Sequence, residues 1–311
     1  MAALDLTIPE PYRPFLRVGT CSWKDPTWTG LIYREGVDYG PFDYLPDYAR
    51  LLRTVEVDQW FWSLFPPGPK LPDPETARRY AESVPEDFVF TVKVPNAVTL
   101  THFYARQPKS YRAHANRPNE HFLSVDLLTE FLRTLEPMGD KLGPLIFQFE
   151  YLNRQKMASL QAFLDQLGGF FDQAPAGYLY AVETRNPNYL RQSFFDFLGD
   201  RDLGFVYLDG YYMPPIIDVF SSADTSPAPF TIIRLHGADR AAIEKTTGKT
   251  WNRVVAPQPH GLQSAVEIVN HNLARAHQTF VNVNNHYEGS APLTIERFVG
   301  LLGERGNGAG A

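Results

Sequence analysis

The sequence predicts a single α/β domain of the (β/α)8, TIM-type barrel class, and three observations carry that prediction. Eight short apolar runs recur along the 311 residues, separated by stretches with helical periodicity. Several of the runs are apolar through the body and finish in polar or ionisable residues: TVEVD, FTVKVP, LIFQFE, YAVETR, FVYLDG, IIRLHG and VNVNNH. No internal repeat or interdomain linker divides the chain, so alternating strands and helices point to one closed barrel rather than an open sheet. A parallel barrel carries its active-site mouth at the C-terminal ends of its strands. The charged endings therefore mark where that mouth lies.

Taken in order, residues 1–14 are aperiodic and proline-containing and read as an arm, and the barrel itself spans 15–303. The strands are expected at 16–20, 54–59, 87–94, 144–149, 178–184, 203–208, 230–236 and 279–285. Asp73-Pro74-Glu75-Thr76 sets a capping aspartate before a proline at the first helical position. Asn186-Pro187 repeats the device ahead of YLRQSFFDFLG. Ser124 precedes a helix whose Val125, Leu128, Phe131, Leu132 and Leu135 share one face, and Met157, Leu160, Phe163, Leu164 and Leu167 do the same in the next. Three connections are longer than barrel packing requires, at 95–123, 209–229 and 237–258, and each follows a strand's C-terminal end. Residues 304–311, rich in Gly and Ala, read as a disordered tail.

The bulk composition excludes several classes. A net charge of −6 gives no global pull toward nucleic acid or anionic membrane. The single cysteine, Cys21, rules out an intramolecular disulfide framework and fits a reducing compartment. No apolar run of roughly 18 residues is present to span a membrane, and MAALDLTIPEPYRP lacks the pattern of a secretory signal. A cytoplasmic location with no membrane partner is the expectation.

Strand side chains alternate faces, so parity separates the barrel interior from the helix-facing side. Glu56 and Asp58 oppose Val55 and Val57; Lys93 opposes Val92 and Val94; Gln148 and Glu150 oppose Phe147 and Phe149. Glu183 and Arg185 oppose Val182; Arg234 and His236 oppose Ile233 and Leu235; Asn282, Asn284 and His286 oppose Val281 and Val283. The apolar set must face the helices, which turns the polar set inward. An interior filled for stability alone uses Val, Ile and Leu, so convergent carboxylates, cations, imidazoles and amides mark a site. With adjacent strands roughly 4.8 Å apart, Glu56 and Lys93 are expected side by side.

No HxH or HExxH spacing appears, and Lys93, Arg185 and Arg234 would repel a divalent cation, so no metal and no cofactor are expected. Cys21 reads as a small buried filler, and Trp23, Trp28, Trp60 and Trp62 as core with some walls for a ring. The loop holding His102, Arg106, Lys109, Arg112, His114, Arg117 and His121 is locally basic and reads first as solvated surface.

At these motifs the chain resembles the domain-of-unknown-function 72 family, also called YecE-like proteins. The resemblance runs from Val18 to Phe298 through VGTCSW, TVEVDQWFW, FTVKVPNAVTLTHF, LGPLIFQFE, AVETRNP, RLHG and VNVNNHYEGSAP. It implies a TIM barrel and a site that includes Glu56, Lys93, His102, Glu183, Arg185, Arg234, His236, Asn284, Asn285 and His286. Cys21, Asp58 and Glu150 stand where the family usually has Ser, Asn and Pro, which leaves all three outside the expected site.

The expected activity is metal-independent acid–base chemistry, hydrolysis in particular, on a small polar or phosphate-bearing ligand. Glu56 and Glu183 are the acid and base, and His236 and His286 the proton shuttles. Lys93, Arg185 and Arg234 hold an anion with Arg234 as the main anchor, while His102, Asn284 and Asn285 orient the substrate. The rival readings are a nucleic-acid binder using the basic loop and aromatics, and a noncatalytic metabolite sensor.

Overall fold

The computed structural model describes residues 4–225 and 228–306. Its strands are β1 (Leu16–Thr20), β2 (Thr54–Val57), β3 (Val89–Lys93), β4 (Leu142–Gln148), β5 (Tyr180–Glu183), β6 (Gly204–Gly210), β7 (Phe230–Gly237) and β8 (Gln278–Val283). They pair in parallel in chain order, and β8 closes on β1. The helices are α1 (Tyr44–Tyr48), α2 (Pro74–Glu82), α3 (Asn96–Thr99), α4 (Val125–Leu135), α5 (Leu160–Phe171), α6 (Gln192–Gly199), α7 (Ile216–Ser222), α8 (Arg240–Thr247), α9 (Pro259–Ala274) and α10 (Ala291–Gly306). The expected (β/α)8 barrel is the fold.

Local chemistry explains where the helices begin. Asp73 accepts from the Glu75 amide, Ser124 from Leu127, Ser159 from Ala162 and Asp239 from Ala242, each satisfying a donor that the first helical turn leaves free. From α4, Leu128, Phe131, Leu132 and Leu135 are buried, each contributing about 1.5–3 kcal/mol by leaving water. The Asn186-Pro187 device acts differently from expectation. Pro187–Tyr189 is one 3-10 turn, and α6 starts only at Gln192. Asn186 instead clamps the loop after β4, its Oδ1 accepting from Leu152 N at 2.7 Å and its Nδ2 donating to Leu152 O at 2.9 Å.

The barrel interior has two layers. Ile146, Ala181, Val206, Ile232 and Phe280, with Ala228 and Phe230, form an apolar cluster separate from the main core. Two residues further along the same strands stand Gln148, Glu183, Leu208, Arg234 and Asn282, inward by the same parity. The strand register puts Gln148 beside Glu183, and Arg234 between Leu208 and Asn282. A plug of hydrocarbon therefore closes the barrel beneath a polar layer. The main core lies outside, where Val55, Val92, Phe147, Ile233 and Val281 meet the helices.

Backbone closeness shapes the rim. Gly237 has φ +79°, and a Cβ there would come within 2.5 Å of the His286 carbonyl oxygen. Only glycine fits without strain, which seats the end of β7 against the loop that carries His286. At the N-terminal side, Tyr12 donates to Asn270 Oδ1 on α9 at 2.8 Å, and Leu6 is buried. The last helix continues to Gly306, and residues 307–311 of the expected tail lie outside the described residues. No helix among the described residues is long and apolar enough to cross a membrane.

Candidate active site

Arg234 organises the floor of the mouth. Projecting inward from β7, it donates to Glu56 Oε2 from Nε at 2.8 Å and to Glu56 Oε1 from Nη2 at 2.7 Å. Its Nη1 donates to Glu183 Oε2 and, at 3.1 Å, to Gln148 Oε1. Asn282 Nδ2 adds bonds to Glu56 Oε2 at 3.2 Å and Thr91 Oγ1 at 3.0 Å. Arg185 Nε reaches the other Glu183 oxygen at 3.1 Å. Arg234, Glu56 and Glu183 are all buried, so charges from β2, β5 and β7 neutralise one another across the barrel.

This geometry revises the roles read from sequence. Glu56 and Glu183 share one guanidinium instead of occupying contrasting settings. Burial raises the Glu183 carboxyl, but Arg234, Arg185 and Lys93 outweigh it and hold the group below the usual range. Arg234, expected as an anion anchor, commits four donor contacts to side chains of the floor. Glu183 does not line the cavity.

Above the floor opens a cavity of about 1020 Å³. Lys93, at the last position of β3, is buried, and its Nζ lies 3.7 Å from the centre of the Phe61 ring. No carboxylate oxygen lies within 4.0 Å of it among the described residues, so the expected contact with Glu56 is not made. Burial and Arg234 push the Lys93 ammonium down to about 8, against Glu56, Glu183 and Asp58. Asp58 moves oppositely: burial and Glu56 push its carboxyl up to about 6, against Lys93 and Arg234.

His236 stands with Nε2 3.5 Å from Cys21 Sγ and Nδ1 3.2 Å from the Tyr211 hydroxyl. Burial, reinforced by Arg234, Arg185 and Lys93, drives it well below 6.5 and keeps it neutral, which displaces the expected shuttle role near neutral pH. Burial and Glu56 raise the Cys21 thiol well above its ordinary value, so no thiolate is available. His286 is held from both ring nitrogens, by Asn284 Oδ1 at 2.5 Å and Glu244 Oε1 at 3.1 Å, and packs edge-on against Trp251.

Three of the remaining expected residues separate. Asn284 lines the cavity. Asn285 lines a smaller neighbouring chamber instead, where its Oδ1 accepts from Trp28 Nε1 at 3.2 Å and its Nδ2 donates to Asp25 Oδ2 at 2.8 Å. His102 lies outside the lining, its Nδ1 3.0 Å from Thr101 Oγ1 and its backbone bridged to Pro118.

Sequence reasoning missed two features. Asp58 lines the cavity although the resemblance set it aside. Exposed Tyr104, Tyr151 and Tyr212 join Trp62, one of the expected ring walls, in an aromatic rim around the opening, and Arg185 lies 4.3 Å from the Tyr211 ring. Tyr151 and Tyr212 follow the ends of β4 and β6 by three and two residues, which was the available signal; Tyr104, eleven residues past β3, gave none. A second chamber of about 250 Å³, lined by Asp25, Trp28 and Trp251 among others, shares Cys21, Asp58, Arg240, Asn284 and His286 with the first.

One trio has metal-like spacing: ligand atoms of Cys21, Glu56 and His236 lie within 4.8 Å of one another. Both Glu56 oxygens already accept from Arg234, whose positive charge would face the ion. The trio therefore fits a cation poorly.

A closed parallel barrel with an ionic layer over an apolar plug and a rimmed cavity at the strand ends defines a (β/α)8-barrel protein. The chain belongs to the family described as protein of unknown function DUF72, whose model matches residues 17–310. It is 28% identical over 173 residues to UPF0759 protein YecE of Escherichia coli (strain K12), a stretch covering 55% of this chain and 49% of that protein. The chain thus spans about half the length of the curated relatives it matches. Among solved structures, it is similar to a DUF72 family protein of Thermotoga maritima, with TM-score 0.64 and 22% identity over 93% of this chain and 99% of that one. A DUF72 family protein of Enterococcus faecalis gives TM-score 0.58 and 19% identity over 93% and 98%. These likenesses show the fold.

Proposed function

We propose that the protein is an enzyme that hydrolyses a polar, anion-bearing substrate by metal-independent acid–base chemistry. The observation that carries this reading is Asp58: a carboxyl poised at about 6, lying where a large chamber and a small one meet. A carboxyl in that range is largely ionised at neutral pH yet still a competent acid. A bond that straddles the junction lies within its reach. Ionised Asp58 takes a proton from water as the water attacks, then returns it to the departing group, which leaves into the other chamber. Arg185, with one nitrogen on Glu183, turns the rest of its fork toward the anionic group. The rim aromatics pack against a ring or sugar face.

The test compares wild type with Asp58→Asn on p-nitrophenyl phosphate, bis-p-nitrophenyl phosphate and p-nitrophenyl glycosides. The variant should lose about 100-fold in rate, and the wild-type profile should rise with pH through about 6. Equal rates in the two proteins would sink the reading.

A second reading has its own support. Arg106, Lys109, Arg112 and Arg117 are exposed and make no ion pair among the described residues, and their loop brings Tyr104 to 5.7 Å from Trp62 at the rim. A single strand of nucleic acid would meet cations and stacking surfaces together there. Affinity for an oligonucleotide falling steeply with salt would favour it, and salt-independent affinity would remove it.

A further inference from the structure

We propose that Lys93 is an amine nucleophile, and that the mouth captures aldehydes or ketones bearing an acidic group as an imine on its Nζ. The proposal stands on the lysine's own surroundings and holds whether or not the hydrolytic reading does.

The other partly buried lysines have evident structural work. Lys141 donates to the carbonyls of Ala81 and Val84 at 2.9 and 3.0 Å, and Lys156 pairs with Glu150 at 2.7 Å. Lys93 does neither. It is buried, lines the cavity, rests on the Phe61 ring, and has no carboxylate within ion-pair distance among the described residues. A buried amine without an ion pair lowers stability, so packing alone gives no reason for its presence. The enclosing walls and nearby Arg234 favour the neutral amine, the form that attacks carbonyl carbon, while the Phe61 face gives the ammonium only a weak cation–π contact in place of a carboxylate. With the ammonium brought down to about 8, a useful neutral fraction exists just above pH 7.

The neighbours suit each step. The Nζ lone pair adds to the carbonyl carbon, forming a C–N bond, while the carbonyl oxygen takes a proton from the Asp58 carboxyl. The nitrogen then returns a proton to Asp58. Breaking the C–O bond releases water, whose oxygen carries away a second proton from Asp58, and leaves the iminium. Amine, carbonyl and the Asp58 proton become iminium, water and the Asp58 carboxylate, with no oxidant or metal required. The iminium bears the same charge as the ammonium, so Glu56, Glu183 and Asp58 favour it equally. Arg185 and Arg240 line the same cavity and supply the partner for an acidic group on the ligand.

Reductive trapping tests this on the intact protein. Pyruvate and dihydroxyacetone phosphate are the probes, each with sodium cyanoborohydride, and peptide mapping locates the adduct. Lys93 should be modified at least about tenfold faster than exposed Lys245 and Lys249. Its modification should be half-maximal near pH 8. The comparison between lysines of one protein does not depend on a variant folding; Lys93→Met should in addition abolish the fast adduct. No adduct on Lys93 with either probe, or equal rates at all lysines, would overturn the proposal. Trapping without ester hydrolysis keeps this inference and removes the hydrolytic reading, and hydrolysis without trapping does the reverse.

Discussion

Replacing Arg234 by methionine removes the one cation that both floor carboxylates share, and the consequence can be worked from the contacts. Glu56 loses a bidentate pair and keeps only Asn282 Nδ2 at 3.2 Å. Glu183 loses one oxygen's partner and keeps Arg185 at 3.1 Å. Stranding a buried charge costs about 3–5 kcal/mol, and with two carboxylates affected the upper end applies. That approaches the whole stability of many domains, about 5–15 kcal/mol. The sign of the pH dependence is equally specific. In the wild type Glu183 is held below 4.5, so its stabilisation is present above that value and lost as pH falls through the lower folded value. In Arg234→Met the dominant effect on Glu183 is desolvation, its carboxyl moves upward, and part of the lost stability returns as pH falls. Urea melts of Arg234→Met and of Arg234→Met/Glu56→Gln/Glu183→Gln, each at neutral and acidic pH, measure this. The triple variant should recover most of the loss. A single variant as stable as wild type that loses only phosphate-induced stabilisation would refute the reasoning and restore Arg234 as an anion anchor.

Asp58→Asn should stabilise the protein at neutral pH by about 3 kcal/mol, because a carboxyl raised from 3.8 to about 6 loses stability as pH climbs through that window; denaturant melts showing no gain would contradict the desolvated placement. Lys93→Met should stabilise it by about 3 kcal/mol below pH 8, with the gain fading between about 8 and 10.5 as the wild-type lysine sheds its proton in both states. A gain that persists undiminished above that window would mean that packing, not charge, is responsible. Chelator treatment should leave the melting temperature unchanged, since Arg234 engages both Glu56 oxygens; stoichiometric zinc or manganese by elemental analysis would overturn this.

Much of the architecture was legible because strand alternation is a strict geometric rule. A period of two sends Glu56, Lys93, Gln148, Glu183, Arg234 and Asn282 inward whatever surrounds them, and the apolar neighbours confirm the choice. Parity sorts faces but carries no distances. Whether Arg234 offers its fork to a ligand or spends it on Glu56 and Glu183 depends on side-chain reach across the barrel, which no single strand encodes. The same holds for Lys93, whose nearest partner is Phe61 from the loop after β2 rather than Glu56 on the neighbouring strand. Asp58 escaped for another reason: the family resemblance pointed to Asn there, and only the three-dimensional neighbourhood reveals a perturbed carboxyl. His102 and Asn285 sit beyond regular strands, where periodicity has nothing to say. The Asn186-Pro187 pair shows that a capping signature can serve a loop clamp equally well, since asparagine's amide binds any backbone that comes near.

The hydrocarbon plug of Ile146, Ala181, Val206, Ile232 and Phe280 has a consequence for proton traffic. Sealed from below, the floor exchanges hydrogen ions with bulk water only through the mouth, the same doorway a guest must use. A guest that fills the doorway shuts the floor off from the buffer. On the acid–base reading proposed above, chemistry within would then proceed with the number of protons present at the instant of entry, and the pH that matters would be the one the empty protein experienced just before.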